Sequence, residues 1–216
     1  TRWSTFKVTD GSIFRPAAGT RSKASAEYRL TTGNQFFQQL ALDEGVRVPR
    51  LAADAGQLTL DASASLTLDA TILTGKASGA RGAVVDITSD KLSVVSAIGA
   101  DDGTLQLTAG SLNALNAESL LLGGTRTQKA DEITITTIAS TVIFANDADH
   151  ALEATEVIAA AKDTLTVKSG AAISALKTTQ PAGNVKLHAS GDGALLAVSA
   201  LSDIEFDRAS VSADPV

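Results

Sequence analysis

The sequence predicts an all-β fold, a parallel β-helix with a short N-terminal capping segment. One outline, a turn-forming residue followed by aliphatic residues at every second position, starts at Gly103, Asp163 and Gly183. Such alternation is typical of a strand buried on one side. The chain is 44% hydrophobic but only 4% aromatic. A narrow solenoid has this composition, because aligned columns of Val, Ile, Leu and Ala fit its interior more easily than large rings.

Seven leading strands follow from the alternating pairs. They are Leu58/Leu60, Val85/Ile87, Leu105/Leu107, Ile133/Ile135, Leu165/Val167, Val185/Leu187 and Ile204/Phe206. The steps from 85 to 105 and from 165 to 185 are twenty residues each. Where a step is longer, we expect a polar insert, 75–82 or 123–131, to project sideways as a loop. A repeat of this length cannot bury its own core, but it can stack on its neighbours at about 4.8 Å.

A second apolar cluster follows most leading strands, and we predict further short strands there. The clusters are Leu66/Leu68, Leu92/Val94, Leu112/Leu115, Val142/Phe144, Ile173/Leu176 and Leu195/Leu196/Val198. The segment 152–162 has helical composition, but its EVIAA run fits a buried strand better, and we predict a strand. A β-sandwich is the alternative fold. The recurrence of one strand pattern at multiples of twenty residues argues against it, because the strands of a sandwich rarely repeat at a fixed spacing.

Residues 1–50 form a separate compositional region ahead of the β-helix predicted for 51–216. Residues 1–50 hold eight Lys/Arg and four Asp/Glu, a balance of +4, whereas 51–216 hold ten and twenty, a balance of −10. The acidic bulk argues against nucleic acid as a partner, because phosphate binding requires clustered cations. Six of the eight aromatic residues also lie in the first fifty: Trp3, Phe6, Phe14, Tyr28, Phe36 and Phe37.

A short helix is predicted near 35–44, where it would cover one end of the solenoid. Asn34 is its expected N-cap and Gly45 its stop. Packing at the solenoid end accounts for the N-terminal aromatics. The functional alternative is that Trp3 and Tyr28, with nearby Arg side chains, stack on sugars or contact a partner.

The remaining composition excludes several classes of protein. Cysteine is absent, so the chain has neither a disulfide framework nor a thiolate metal site. No apolar run approaches the roughly twenty residues that span a bilayer, and we expect no membrane insertion. The chain contains no Met, and we interpret it as a piece of a longer protein.

Four runs of the sequence resemble the repeats of a known protein family: 50–73, 80–96, 112–127 and 156–173. The run AESLLLGGTRT within 117–127 is the most specific of these. Residues 45–200 resemble the repeat region of filamentous haemagglutinin-family exoproteins, which are long surface adhesins of Gram-negative bacteria. The Asn-rich tetrapeptides of that family's secretion domain are missing, so the resemblance places the chain in the shaft.

The resemblance implies a right-handed β-helical shaft in a secreted protein of the bacterial cell surface. Export would follow the two-partner route through an outer-membrane transporter that engages the full-length protein. The implied partners are host-cell surfaces or glycans, or other bacterial surfaces. The absence of Cys agrees with such export, because periplasmic disulfides impede a chain that must cross membranes unfolded.

Several side chains are candidates for reactive groups. Asp101/Asp102, Asp131/Glu132 and the NDADH run 146–150 fall in predicted turns, where Asp most often shapes the backbone. The 146–150 run offers alternating oxygen ligands for calcium but lacks the glycine spacing and final Glu of an EF-hand. Of the two histidines, His150 lies in this run and His188 in a predicted strand, pointing outward.

No residue is assigned as catalytic, cofactor-binding or metal-binding, and no cofactor is expected. The chain has no GxSxG motif and no phosphate-binding loop. We therefore predict a non-catalytic structural and adhesive segment. A β-helical polysaccharide lyase or glycoside hydrolase is the alternative, and it requires three or more charged side chains from successive coils to meet in one groove.

Overall fold

The chain is rich in strands and has few helices, as the sequence predicts. The computed structural model describes residues 32–51, 53–69, 72, 74–128, 132–176, 185–190, 193–201 and 204–208. The chain divides into two compact units, Thr1–Ala52 and Ala53–Val216. No helix in the described ranges is long and apolar enough to cross a membrane.

The described part of the first unit contains helix α1 (Gly33–Asp43). Its N-cap is Thr32, so the expectation of Asn34 is wrong. The Thr32 hydroxyl accepts a hydrogen bond from the Gln35 amide, and the Gln35 side chain accepts one from the Thr32 amide. This reciprocal capping box satisfies two donors at once, which explains why the helix begins before Asn34. The chain leaves the helix through Gly45, whose φ is 65°.

The second unit is built from short strands. In chain order they are β1 (Gln57–Asp61), β2 (Val84–Thr88), β3 (Lys91–Val95), β4 (Leu105–Thr108), β5 (Ser119–Leu122), β6 (Gly124–Gln128), β7 (Glu132–Thr137), β8 (Thr141–Ala145), β9 (Leu152–Ala154), β10 (Glu156–Ala161), β11 (Thr164–Val167), β12 (Ile173–Ala175), β13 (Val185–Ser190), β14 (Ala194–Ser199) and β15 (Ile204–Arg208). Helix α2 (Ala109–Asn113) follows β4, and a 3-10 turn (Ala148–His150) follows β8.

The strands form four sheets, most of whose pairings are parallel. Sheet 1 has the order β1-β2-β5-β10-β14, and sheet 2 the order β11-β8-β3-β4. Sheet 3 is the pair β12-β9, and sheet 4 has the order β15-β13-β7-β6. Two pairings, β10 with β14 and β6 with β7, are antiparallel. Sheets 1 and 4 therefore contain both parallel and antiparallel pairings, whereas the sequence predicts parallel pairing throughout.

Aliphatic side chains line up from strand to strand within the parallel sheets. In sheet 1 one column runs in register through Leu58, Val85, Leu120 and Val157. In sheet 2 a second column runs through Leu105, Leu92, Val142 and Leu165. Most of these side chains belong to one main hydrophobic core. The columns stabilise the stack because each strand covers apolar surface of the next.

The twenty-residue step does not connect neighbouring strands, and that part of the sequence interpretation is wrong. The partner of Val85 is Leu120 and not Leu105, which pairs with Leu92 in sheet 2. The leading strands are distributed over three sheets, because alternation locates a strand without specifying its neighbour. The nineteen-residue step from 185 to 204 does join partners, since Val185 pairs with Ile204.

Two predicted strands of the second set do not form. Leu112 lies in helix α2 and Leu115 in the turn after it, and both are buried; the Thr108 hydroxyl caps the helix by accepting from the Ser111 amide. A local side-chain bond of this kind competes successfully with a sheet ladder. Leu66 and Leu68 pack against the main core but lie in no strand.

Strand β10 is buried along its whole length, which confirms the preference for a strand over a helix. The side chains of its even-numbered residues Ile158 and Ala160 contribute to a second, smaller core. That core consists of Leu121, Ile133, Ile135, Ile158 and Ala160, with Leu195 and Ala197 packed against it. These residues come from sheets 1 and 4, so sheet 1 is covered on both faces. A strand covered on both faces requires a continuous apolar run, as in EVIAA.

Candidate functional site

The most unusual chemistry of the described residues is a group of charged side chains buried between sheets 1 and 4. Asp86 on β2, Arg126 on β6 and Glu156 on β10 are exposed by 0%, 5% and 5%. Asp86 lies between Val85 and Ile87, so alternation turns it away from the main core. Ser119 on β5 pairs directly with Glu156. We call Asp86, Ser119, Arg126 and Glu156 the buried ion cluster.

Arg126 is the centre of this cluster. Its Nε donates to Asp86 Oδ1 at 2.6 Å, and its backbone amide donates to Asp86 Oδ2 at 3.0 Å. Its Nη1 donates to Ser119 Oγ at 2.5 Å and lies 3.9 Å from Glu156 Oε2. Its Nη2 donates to the Val85 carbonyl at 3.3 Å. One guanidinium therefore joins strand β6 to three strands of sheet 1.

The second carboxylate of the cluster is held by hydroxyl groups. Ser119 Oγ donates to Glu156 Oε2, and Ser199 Oγ on β14 donates to Glu156 Oε1 at 3.2 Å. On the other side, Gln57 Nε2 donates to Asp86 Oδ2 at 2.9 Å. Burying charge without partners costs several kcal/mol per ion, and these bonds offset that cost. The members of the cluster are bonded to one another, so we assign the cluster a structural role.

The turn that leads into β6 explains how Arg126 reaches this place. Gly123 has a φ of 87°, and a Cβ there would lie 2.2 Å from the Ala160 carbonyl oxygen. At Gly124 a Cβ would lie 2.8 Å from the Thr136 carbonyl oxygen. Because neither glycine has a side chain, the chain can turn here in close contact with the neighbouring backbone. The prediction of a projecting loop at 123–131 is therefore wrong for Gly124–Gln128, which form strand β6, while 129–131 lie outside the described residues.

The other insert, 75–82, is tied to the protein through Glu118. Glu118 accepts hydrogen bonds from Lys76 Nζ at 3.0 Å, Arg81 Nε at 3.0 Å and the Gly82 amide at 2.6 Å. Burial acts to raise the pKa of Glu118, but the bonds from Lys76, the Gly82 amide and Arg81 outweigh it, so the pKa lies below 4.5. Residues 75–79 and Arg81 are exposed, as expected of a projecting insert, whereas Ala80 and Gly82 are buried, so the insert is anchored at its C-terminal end.

The NDADH run forms a capped turn around Asp147. Asp147 Oδ2 accepts from Ser96 Oγ at 2.7 Å, and Oδ1 lies 2.8 Å from His150 Nδ1. Ser96 and His150 thus contact the same carboxylate, and a Ser-His-Asp relay requires the histidine between the other two groups. Asn146 points inward, where its Nδ2 donates to the His150 and Ala172 carbonyls. Asp149 shares the turn with His150.

The remaining sequence candidates lie in two places: Asp101 and Asp102 share one turn, and Glu132 and His188 lie on the paired strands β7 and β13. Asp101 and Asp102 accept from amides two residues ahead, Gly103 and Thr104, as Asp does in turns. Glu132 lies on β7 beside Thr134. His188 is half-buried on β13. Asp131, Trp3 and Tyr28 lie outside the described residues.

Asp147 offers a direct test of the turn geometry. The hydrogen bonds from Ser96 and then His150 lower the pKa of Asp147 from 3.8 to about 2. A lowered pKa means that the ionised form stabilises the fold above pH 3.8 and that this contribution is lost as the pH falls towards 2. We expect Ser96→Ala to raise the Asp147 pKa towards its ordinary value. Carboxyl NMR titration measures it, with Asp149 as the internal control, and an unchanged Asp147 midpoint would contradict the geometry.

The buried ion cluster does not follow from any local pattern in the sequence. Asp86 occupies an ordinary outward position of an alternating strand, and Arg126 lies in a polar insert. Two continuous apolar runs, Leu120–Leu122 and the VIAA run after Glu156, indicate strands covered on both faces, but they do not specify the charged side chains. Within the described ranges, no three His, Asp or Glu side chains gather into a possible metal site.

The chain was also compared with known proteins. No family model, curated protein or solved structure matches it. Any functional conclusion therefore depends on the chain's own residues and geometry.

Proposed function

We propose that this chain is a non-catalytic segment of the shaft of a large secreted bacterial adhesin of the filamentous haemagglutinin type. In this proposal the parallel strands of Ala53–Val216 wind as a right-handed β-helix. The full-length protein is exported through an outer-membrane transporter and attaches the bacterium to host-cell surfaces, glycans or other bacteria.

The observation that carries the proposal is the alignment of aliphatic columns across parallel strands. Leu58, Val85, Leu120 and Val157 succeed one another in sheet 1 although 27 or more residues separate each pair in the sequence. In-register parallel strands connected by long crossovers are what stacked coils require. The pattern supports a rod whose length, and not a reactive centre, is its useful property.

The arrangement of charges supports a structural role as well. A glycan-cleaving β-helix requires acidic and basic side chains to meet in an accessible groove. Here Asp86, Arg126 and Glu156 are buried and bonded to one another. Asp101, Asp102 and Asp147 are exposed and hold their own turns.

A paired binding and cleavage assay tests the proposal. We expect the folded chain to bind host epithelial cells or a glycan array saturably, and to release neither reducing ends nor unsaturated sugars from polysaccharides. The heat-denatured chain controls for nonspecific adsorption, and an unrelated folded protein of equal net charge controls for electrostatics. Cleavage of a polysaccharide would overturn the proposal in favour of a lyase or hydrolase. Absence of both binding and cleavage would contradict adhesion by this segment.

A further inference from the structure

Strand β14 occupies the last position of sheet 1 and runs antiparallel to its neighbour β10. The other pairings of that sheet, β1 with β2, β2 with β5 and β5 with β10, are all parallel. The antiparallel pairing extends over six residues of each strand, from Ala194 opposite Ala161 to Ser199 opposite Glu156. The parallel run of strands in sheet 1 therefore stops at β10.

The backbone hydrogen bonds show which residues of β14 hold it on β10. The Glu156 amide donates to the Glu118 carbonyl, so the even-numbered residues of β10 bond towards β5 and the odd-numbered residues towards β14. The register partners of those odd-numbered residues are the even-numbered residues of β14. The Ala200 amide, which donates to the Thr155 carbonyl, continues this alternation. Even-numbered residues of β14 therefore direct their amides at β10, and odd-numbered residues direct theirs away.

Strand β14 also covers side chains on both faces of β10. Leu196 packs against the main core, and Leu195 and Ala197 pack against the second core. Ser199 Oγ donates to Glu156 Oε1 at 3.2 Å. β10 is buried along its whole length, and β14 provides this cover at its edge. Without β14, an apolar strand would present unpaired backbone groups, which are a template for the addition of another strand.

Removal of β14 would leave sheets 1 and 2 with matched ends. Sheet 1 would then have the order β1-β2-β5-β10, beside β4-β3-β8-β11 in sheet 2. β10 and β11 are consecutive in the chain, and they end the two sheets by pairing with β5 and β8. With β14 in place, sheet 1 has five strands and sheet 2 has four. The two ends then differ by one strand spacing, about 4.8 Å, so one partner cannot pair with both sheets.

Strand β1 of a second copy fits the edge of β10 that β14 covers. β1 is the last strand on the opposite side of sheet 1 and is parallel to its neighbour. Placed beside β10 in the same direction, it would continue the aliphatic column, with Leu58 following Val157. β4, at the opposite side of sheet 2, would then follow β11. This contact uses different surfaces of the two copies, so it does not close on itself and generates a filament.

We propose that β14 is a cap that keeps the chain monomeric, and that its release lets copies join head to tail through β10 and β1. The inference goes beyond the adhesin proposal and does not depend on it, since it concerns only the order and direction of strands in sheets 1 and 2. Displacement of a single strand thus controls whether the chain assembles.

Leu196→Pro tests the cap. Proline has no amide hydrogen, so this variant removes a bond from β14 to β10. Ala197→Pro is the matched control, because the Ala197 amide points away from β10, where proline is tolerated. Size-exclusion chromatography with light scattering measures the mass over a concentration series. We expect Leu196→Pro to form species that grow with concentration beyond a dimer, while the wild-type chain and Ala197→Pro stay monomeric.

Thr59→Pro tests the partner edge. The Ala62 amide donates to the Thr88 carbonyl, so even-numbered residues of β1 bond to β2 and Thr59 directs its amide away from β2. Thr59→Pro therefore keeps the pairing of β1 with β2 and removes a donor from the outer edge of β1. We expect Leu196→Pro/Thr59→Pro to remain monomeric, because the second copy can no longer add through β1.

Four results would overturn the proposal. They are assembly of the wild-type chain, a folded Leu196→Pro that stays monomeric, growth that Thr59→Pro does not reduce, and a dimer that does not grow, which would indicate pairing between two β10 strands. Circular dichroism establishes whether Leu196→Pro is folded. If it is not, the wild-type chain and Thr59→Pro are compared in sub-denaturing urea, where we expect assembly of the first only, and equal behaviour of the two would overturn the proposal.

Discussion

Arg126→Met is expected to destabilise the protein by about 3–5 kcal/mol, the usual effect of removing one partner from a buried ion pair. Methionine keeps much of the side-chain volume but none of the charge. Asp86 and Glu156, exposed by 0% and 5%, would then be left without their cation. The measurement is the free energy of unfolding from denaturant titration followed by circular dichroism.

Two further variants separate charge from packing. Thr127→Ala changes the neighbouring exposed residue of β6, and surface substitutions of this kind usually stay within about 0.5 kcal/mol. The triple variant Asp86→Leu/Arg126→Met/Glu156→Leu removes all three charges. We expect it to be more stable than Arg126→Met, because no unpaired ion remains. A loss below about 1 kcal/mol for Arg126→Met would show that water reaches the cluster.

Gly123→Ala is expected to destabilise the protein by about 3 kcal/mol. A positive φ accounts for about 1 kcal/mol of this, and the overlap of the new Cβ with the backbone adds about 1–3 kcal/mol. The Cβ would lie 2.2 Å from the Ala160 carbonyl oxygen and 2.7 Å from Val142 Cγ2. Backbone of a central strand cannot move aside without disturbing the ladder between β5 and β10.

Gly79→Ala is the matched control for Gly123→Ala. Gly79 also has a positive φ, 77°, but a Cβ there meets no atom within 4 Å. We therefore expect a loss of only about 1 kcal/mol, from backbone strain alone. The difference between the two variants isolates the steric contribution. Equal losses would mean that the turn at Gly123 has room and does not fix the approach of β6.

Gly123→Ala and Arg126→Met both affect the turn by which the chain passes from β5 to β6. Gly123 permits the turn, and Arg126 fastens the resulting strand to sheet 1. The hairpin β6-β7 then supplies Ile133 and Ile135 to the second core. Loss of either residue should therefore weaken the packing of sheet 4 on sheet 1.

The sequence by itself identified most strands, because a period of two in aliphatic residues depends only on local backbone geometry. Strands β2, β8 and β10 form around the residues that predicted them. The same local information explains why helix α2 was missed, since the Thr108 cap was available in the sequence but the apolar pair Leu112/Leu115 suggested a strand.

Partner choice was decided only in the tertiary structure. Neighbouring strands in sheet 1 are separated by crossovers of unequal length, so a spacing of twenty residues could not reveal that Val85 pairs with Leu120. Antiparallel β14 closes one side of the same sheet, and alternation contains no information about strand direction.

The buried ion cluster likewise exists only in three dimensions. Asp86, Arg126 and Glu156 are 40 and 30 residues apart in the sequence, and each alone resembles an ordinary surface residue. Local pattern determined where the chain is strand and which face is apolar. The tertiary structure determined which strands meet and which charges become buried, because these depend on long-range packing that no local period encodes.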